Sequence, residues 1–378
     1  GSDYENIEKD GTRQKNMIGM MPNSSGSYNI KIERIWANAN IRNLGFFGEY
    51  NTNYGTYELM GIIRTDINYA KSDDIIVKNP GGANIYYYGS DSASTNYINL
   101  SGAVAATKYI KENLSISLAA GRGVRSPDML ERFIILLPVG YDNFDYLGNP
   151  LLKPEINNEI DLTLKYQHKK YGAMEFNAFY AYVENFIMGE RLPKSVQLPL
   201  TQNVLGVKKF INSDPVTLKG FEIAWGSSQY KKLICSLTAS YTMANISKIL
   251  QYVTDSTGAV IKDNELTNDY LPEIPPLEGN VSLSYKLFKE HFRLNANLRI
   301  VAEQNKVSKA LYEPKTPGYT IANLSLNYKH NKYLTLAAGV NNLFNKAYYE
   351  HLNRKIVGST ARLYEPGRVF FLNLIINV

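Results

Sequence analysis

Cysteine and histidine are almost missing from this 378-residue chain, which holds one Cys, Cys235, and four His. A single thiol excludes any disulfide within the chain, and the scattered His168, His291, His330 and His351 form no metal-ligand spacing. Long apolar runs are missing too. A spanning helix needs roughly 18–20 apolar residues in a row, and the longest compact run, Phe133-Ile-Ile-Leu-Leu-Pro-Val139, is far shorter. If a membrane is involved, only a closed β-barrel remains available. The net charge of +6 is spread along the chain. It makes no clustered basic stripe, so no nucleic-acid partner is expected. The first residues show no signal-peptide pattern from which export could be read.

What is abundant is tyrosine, 29 residues against 14 Phe and 2 Trp. Tyr suits places where a ring lies in apolar surroundings and its hydroxyl reaches water, as at membrane interfaces, although it also simply favours strands. Hydrophobic residues make up 44% and mean hydropathy is −0.28, which alone reads as soluble. A barrel strand evades that measure, because its apolar residues alternate with polar ones. The last ten residues show the beat: Phe370, Leu372, Leu374, Ile376 and Val378 fall on one side, and Asn373 and Asn377 on the other. In a dry core each unpaired amide costs roughly 1–3 kcal/mol. Facing a wet lumen, the amides cost little.

That beat recurs about a dozen times. A strand is expected from near Ser27, then pairs of strands joined at Asn51–Gly55, Lys111–Asn113, Lys169–Gly172, Gln229–Lys232, Lys289-Glu290 and Lys329–Lys332. Between the pairs run connections of roughly 12–30 residues, against the usual two to five of a hairpin. Tight turns thus gather at one end and long connections at the other, the layout of an outer-membrane barrel. The expected fold is all-β, a transmembrane antiparallel barrel of about 14 strands, with residues 27–378 as its wall. Residues 1–26 read as an irregular, extracellular loop.

Several motifs then resemble one family. Gly121-Arg-Gly-Val-Arg-Ser-Pro-Asp-Met-Leu-Glu-Arg132 resembles a strand-ending element of the TonB-dependent outer-membrane receptors. Gly148-Asn-Pro-Leu-Leu-Lys-Pro-Glu155 resembles their Asn-Pro-x-Leu-Lys-Pro-Glu signature. Leu271-Pro-Glu-Ile-Pro-Pro276, Gly339-Val-Asn-Asn-Leu-Phe-Asn-Lys346 and Pro366-Gly-Arg-Val-Phe-Phe371 follow in the family's order. Each alone is weak; five in order are specific. Pro127 and Pro150 lack the amide hydrogen that a ladder needs, so they open loops, and Asn149 before Pro150 suits a turn entry. Arg125, Glu131, Lys153, Pro154 and Glu155 in these motifs, with Asn341, Asn342 and Phe344 at a later strand end, are expected to be mainly structural.

The resemblance implies about 22 strands and an N-terminal plug. On that reading this chain is the C-terminal part of the barrel, with the plug and about eight strands absent, and Gly1 is not the natural beginning. It also implies active import of a scarce ligand across the outer membrane of a Gram-negative bacterium. The partners implied are outer-membrane lipid, a metal or metal-complex ligand, and the TonB energy-coupling complex, reached through the plug. No resident cofactor is expected. Iron-siderophores, heme, cobalamin, glycans and bare metal are all candidate cargoes. The spacing around Leu271–Pro276 looks most like the branch that includes copper receptors. Met17, Met20 and Met21 are apt soft ligands for Cu(I), with simple apolar contact as the plainer role. Heme is disfavoured because His351 is the one His in a long loop, which also makes it a candidate ligand residue. Two other classes compete. A barrel lipase or protease needs a nucleophile with an orienting base, yet no Gly-x-Ser-x-Gly occurs. A soluble all-β protein such as a propeller needs a repeat of about 40–50 residues, and none is found.

Overall fold

The computed structural model describes residues 1–16, 30–78, 84–91, 93–139, 142–193, 196–202, 204–228, 232–255, 260–287, 291–331, 333–353 and 362–376. In chain order the elements begin with β1 (Ser2–Asn16), β2 (Ile30–Tyr54), β3 (Tyr57–Ser72), β4 (Ile76–Lys78) and β5 (Asn84–Tyr86). Next come β6 (Ser94–Lys111), β7 (Leu114–Arg125), the helix α1 (Met129–Phe133), β8 (Ile135–Leu137) and β9 (Asp145–Leu147). They continue with β10 (Glu155–His168), β11 (Gly172–Glu184), β12 (Ile187–Leu192), β13 (Val207–Asn212) and β14 (Val216–Gly226). The last are β15 (Leu233–Thr254), β16 (Val260–Tyr270), β17 (Glu278–Leu287), β18 (Phe292–Val301), β19 (Tyr319–Lys329), β20 (Leu334–Asn341) and β21 (Val369–Ile376).

One antiparallel sheet forms the wall, in the order β1-β2-β3-β6-β7-β10-β11-β14-β15-β17-β18-β19-β20-β21, with β16 added to the outer half of β15. Fourteen strands in sequence order, each beside its chain neighbour, are what the alternation of turns and loops predicts. The reason is visible in the cross-strand rows, since directly opposed residues share a face. Leu114, Tyr166, Met174, Trp225, Leu237, Val281, Leu298 and Ala322 make one row across eight strands. The row beside it, on the other face, reads Ser115, Lys165, Glu175, Ala224, Thr238, Asn280, Arg299 and Ile321. A slip of one residue would exchange these faces, so the register is strongly specified. On β21, Phe370 and Leu372 stand 74% exposed on the apolar face, opposite Val340 and Ala338. Such a continuous apolar band belongs against hydrocarbon, and the inner face against water or polar groups.

Three expectations need correction. Residues 2–16 are not irregular but form β1, residues 17–29 lie outside the described residues, and the strand expected from near Ser27 and the one leading into the Asn51–Gly55 turn are a single strand, β2. The hydrophobic beat is absent from β1 because polar pairs tie it to β2. Arg13 binds Glu33 at 2.7 Å, and Asn40 donates to Asn6 and Glu8 at 2.9 Å each. Likewise the long connection expected between the pairs joined at Gln229–Lys232 and Lys289-Glu290 is not a loose loop, since β15 continues to Thr254 and pairs with β16 beyond the wall. The long connections are also folded. β12, β13, β9 and β8 make a four-stranded sheet, and β4 pairs with β5.

These loop elements pack onto the inner face of β2 and β3. Ala37, Ala39 and Ile41 of β2 and Ala70 of β3 join Tyr88, Met129, Phe133, Ile135, Leu147 and Val207 in one buried cluster. The apolar run 133–139 belongs to this cluster and its neighbour, which holds Ile134 and Tyr146. The main core therefore sits at the long-loop end. Among the described residues no helix is long and apolar enough to cross a membrane.

Candidate functional site

The long-loop end is organised from Arg125, the last residue of β7. It lies opposite Glu155, the first of β10, because the ladder register ends there. Its guanidinium donates to both oxygens of Glu131 at 2.9 and 3.0 Å and from Nε to Glu155 at 2.7 Å. Bidentate carboxylate pairs of this kind are the strong form of ion pair. Glu131 also closes a capping box: Asp128 caps α1 by accepting from the Glu131 amide, and Glu131 accepts from the Asp128 amide at 2.7 Å. The second oxygen of Glu155 accepts from the Ile187 amide at 2.6 Å, which ties in the start of β12. The fork thus joins wall, helix and loop sheet. Its carboxylates are all engaged.

The Gly148–Glu155 motif is a second joint. A side chain at Gly148 would run into the Arg132 carbonyl, so only glycine lets the two segments touch. Asn149 donates to the Phe210 carbonyl at 3.0 Å and accepts from the Leu151 amide at 3.1 Å. Pro127 and Pro150 are fully buried. Lys153 acts through its backbone, exchanging bonds of 2.8 and 2.9 Å with the Asn212 side chain, and the Pro154 carbonyl accepts from Asn185 at 3.3 Å. Asn342 sits 3% exposed with φ +51°, and its amide group holds both the N–H and the C=O of Lys346 at 2.8 Å. Asn341 ends the β20 ladder opposite Val369, and Phe344 is 74% exposed.

His351 lies in a clamp between the last two long connections. Its Nε2 is 3.2 Å from Glu313 and its Nδ1 3.1 Å from Thr316. Glu313 also accepts from the amides of Glu273 and Ser308 at 2.7 and 2.8 Å. Burial alone would raise this carboxyl, but His351 and the two amides hold it below its ordinary range. With both ring nitrogens engaged, His351 presents no free lone pair. Met17, Met20 and Met21 lie outside the described residues, so they are not brought to this or any other site.

Two further features are not among the site residues expected from the sequence. Arg132 follows the fork and turns inward, where it is completely buried. It donates to Asn68 at 2.7 Å and Thr95 at 3.1 Å and lies 5.5 Å from the Tyr97 ring centre. Its Nε has no partner, and burial pushes its pKa down to about 10. The Glu-Arg pair in the motif was the available signal, but not its division into one outward and one inward residue. The second is a cavity of about 260 Å³ between β12, β13 and the projecting part of β15 and β16. Met188, Glu190, Lys248, Tyr252 and Glu265 line it. Burial raises the Glu190 carboxyl against the opposing Tyr252 hydrogen bond, and burial also pushes Tyr252 up to about 12. Its size is just below that of most small-molecule pockets. Among the described residues no group of three His, Cys, Asp or Glu is placed to hold a metal ion.

Comparison with known proteins bears on this architecture. Residues 1–343 match the model of the family described as TonB dependent receptor-like, beta-barrel. No curated protein sequence matches. Among solved structures, the copper transporter OprC superposes with a TM-score of 0.73 at 20% identity, covering 99% of this chain and 53% of that one. The siderophore receptor PiuA of Acinetobacter baumannii gives 0.67 at 13% identity, covering 99% and 52%. The FrpB iron transporter of Neisseria meningitidis (F3-3 variant) gives 0.64 at 17%, covering 90% and 46%. At such identities the likeness shows the fold. The chain spans about half the length of these structures.

Proposed function

The chain belongs to the TonB-dependent receptor-like β-barrel family, and from that premise we propose that it serves in the outer membrane of a Gram-negative bacterium as the barrel wall of a receptor importing a scarce metal or metal complex. The observation that carries this reading is the asymmetry of the two ends. Six short connections join the strands at one end, while the other holds a folded assembly of loops cross-tied by Arg125, Glu131 and Glu155. A wall built only for strength needs no such superstructure; a receptor needs one to receive its ligand.

Copper and ferric siderophores are the cargoes supported, because structures of a copper transporter and of siderophore and iron receptors share the fold. Thioethers at Met17, Met20 and Met21 would suit Cu(I). A ferric siderophore would instead meet the mixed polar cavity at Glu190 and Tyr252. Energy for import would come from the TonB complex acting through a plug. Neither cargo requires a resident cofactor. The test is uptake by cells that carry the complete receptor, compared with a strain lacking it. Accumulation of labelled copper or ferric siderophore that depends on both the receptor and the TonB complex supports the reading. Equal accumulation without either defeats it.

A further inference from the structure

The cavity beside the projecting hairpin of β15 and β16 has walls from separate elements. β12 supplies Met188 and Glu190, and β15 supplies Ile246, Ile249 and Tyr252. The connection between β18 and β19 adds Leu311. That connection is held in place as a strap. The buried Asp269 carboxylate accepts from the Ser308 hydroxyl at 3.0 Å and from the amides of Lys309 and Ala310 at 3.2 and 2.9 Å. Gln251 donates to the Lys309 carbonyl at 3.0 Å, and the Tyr312 hydroxyl to the Tyr252 carbonyl at 3.5 Å. The cavity is therefore a built space between cross-tied elements.

Met188, Ile246 and Ile249 belong to one hydrophobic cluster. In the same cavity the Glu190 carboxylate accepts a hydrogen bond from the Tyr252 hydroxyl. Among the described residues Glu190 makes no ion pair, because the neighbouring cations are committed elsewhere. Lys209, directly opposed to it on β13, donates to the Tyr88 carbonyl at 3.0 Å. Arg191 lies over the Phe144 ring, 5.8 Å from its centre. Lys248 pairs with Glu265 at 3.3 Å. Asp263 adds a further negative charge near Tyr252. A half-buried carboxylate without a counterion loses hydration and recovers little of it, which is why burial raises the Glu190 carboxyl. A cation delivered from outside restores the balance.

We infer that this cavity binds a primary ammonium group carried on a short alkyl arm. Glu190 takes the charge, and the aromatic ring of Tyr252 favours a cation beside it. Met188, Ile246 and Leu311 hold the methylenes. Size limits the occupant. At about 260 Å³ the cavity falls short of the roughly 300–1,000 Å³ that enclose a drug-sized ligand, so an arm enters and not a whole metal complex. The inference deepens the siderophore reading of this cavity and rests on it, the ammonium arm being the part of the complex that enters.

The test uses the complete receptor, purified in detergent and examined by saturation-transfer NMR and by thermal unfolding. The probes are n-pentylammonium, methylammonium, 1-pentanol and pentanoate. n-Pentylammonium is expected to bind saturably, with a Kd on the order of millimolar for so small a ligand. Glu190→Gln keeps the shape and an acceptor for Tyr252 but removes the charge, and it weakens that binding roughly tenfold to hundredfold. Leu311→Trp fills the cavity and abolishes binding. Glu175→Gln, beside Lys165 at the turn end, is the control and leaves binding unchanged. Heat-shifted migration on gels confirms that each variant is folded, and partition into the micelle is common to all of them. Equal binding by the Glu190→Gln variant overturns the role of Glu190, and equal binding by Leu311→Trp overturns the location. Binding of 1-pentanol or pentanoate as tightly as n-pentylammonium overturns the choice of a cation, and equal binding of methylammonium overturns the alkyl arm. Uptake plays no part in this assay. Ammonium binding without TonB-dependent uptake therefore defeats the proposed import alone, and uptake without ammonium binding defeats this site alone.

Discussion

Replacing Leu162 by arginine probes the two-faced wall at its middle. Leu162 lies on the apolar face of β10, opposite Leu118 and Ala178, four residues from Asn158 and four from Tyr166. At a rise of about 3.4 Å per residue those eight steps cover roughly 27 Å along the strand. With the strand tilted about 40°, they span roughly 20 Å across the membrane, close to the apolar band of about 25 Å in such barrels. Leu162 is therefore near mid-depth, where an arginine costs about 2–4 kcal/mol. At about 1.4 kcal/mol per decade, the folding equilibrium shifts by roughly 30- to 700-fold. The neighbouring change Thr163→Arg places the same charge on the inner face. It loses one hydrogen bond, to Asn177 at 3.2 Å, for about 1 kcal/mol. The assay is guanidinium unfolding of the complete receptor in lipid vesicles, followed by the fluorescence of Trp36 and Trp225. Equal losses for the two variants, or a larger loss for Thr163→Arg, would refute the assignment of faces.

Other variants test the joints. Asn342→Ala removes both bonds to Lys346 from a buried amide and is expected to cost about 2–3 kcal/mol, read as a lower denaturation midpoint. Gly148→Ala is expected to lower it also, because the Arg132 carbonyl cannot move away without pulling α1 off the wall. The Glu313 clamp adds a pH dependence. Its folded carboxyl is held below the ordinary value of 4.5, so its contribution is complete above that pH and fades as pH falls through the lower folded value. Hydrogen exchange at residues 342–353 should therefore accelerate under acid, and Glu313→Gln should abolish the change. His351→Ala is expected to loosen the same segment, read as faster hydrogen exchange at residues 342–353.

The wall was legible because lipid and water impose opposite demands on alternate residues. Phe370, Leu372, Leu374 and Ile376 had to be apolar, while Asn373 did not, and no tertiary knowledge was needed to see it. β1 escaped for the converse reason: where it rises beside β2 its register is held by Arg13–Glu33 and by amides, and amides carry no period that distinguishes a strand from a loop. The motifs were legible as chemistry, since proline, glycine and a capping box each have one local use. Their partners were not. Glu131 and Arg132 are adjacent letters, yet one completes a surface fork with Arg125 and the other is sealed against Asn68 and Thr95 of strands whose numbers lie about forty to sixty residues earlier.

That division also explains why the loop end resists reading from the chain. Its contacts are side chain to backbone across long separations, such as Asn149 to Phe210 and Glu155 to Ile187. Each depends on where another loop has already folded. A strand in the wall needs only its neighbour and the membrane. A loop in the superstructure needs several others at once, so substitutions at Arg125 or Glu155 should disturb distant segments together, and those in one strand's outer face should not. Arg132 carries the argument furthest. A fully buried guanidinium with one unpartnered nitrogen is costly, and it is kept in place only because α1, β3 and β6 fix its surroundings. Arg132→Met, similar in length and uncharged, removes that cost. It also takes the donor from the buried Asn68 oxygen, so the wall should stay folded without gaining stability while α1 is freed to shift against β3, which hydrogen exchange at Met129–Phe133 would register.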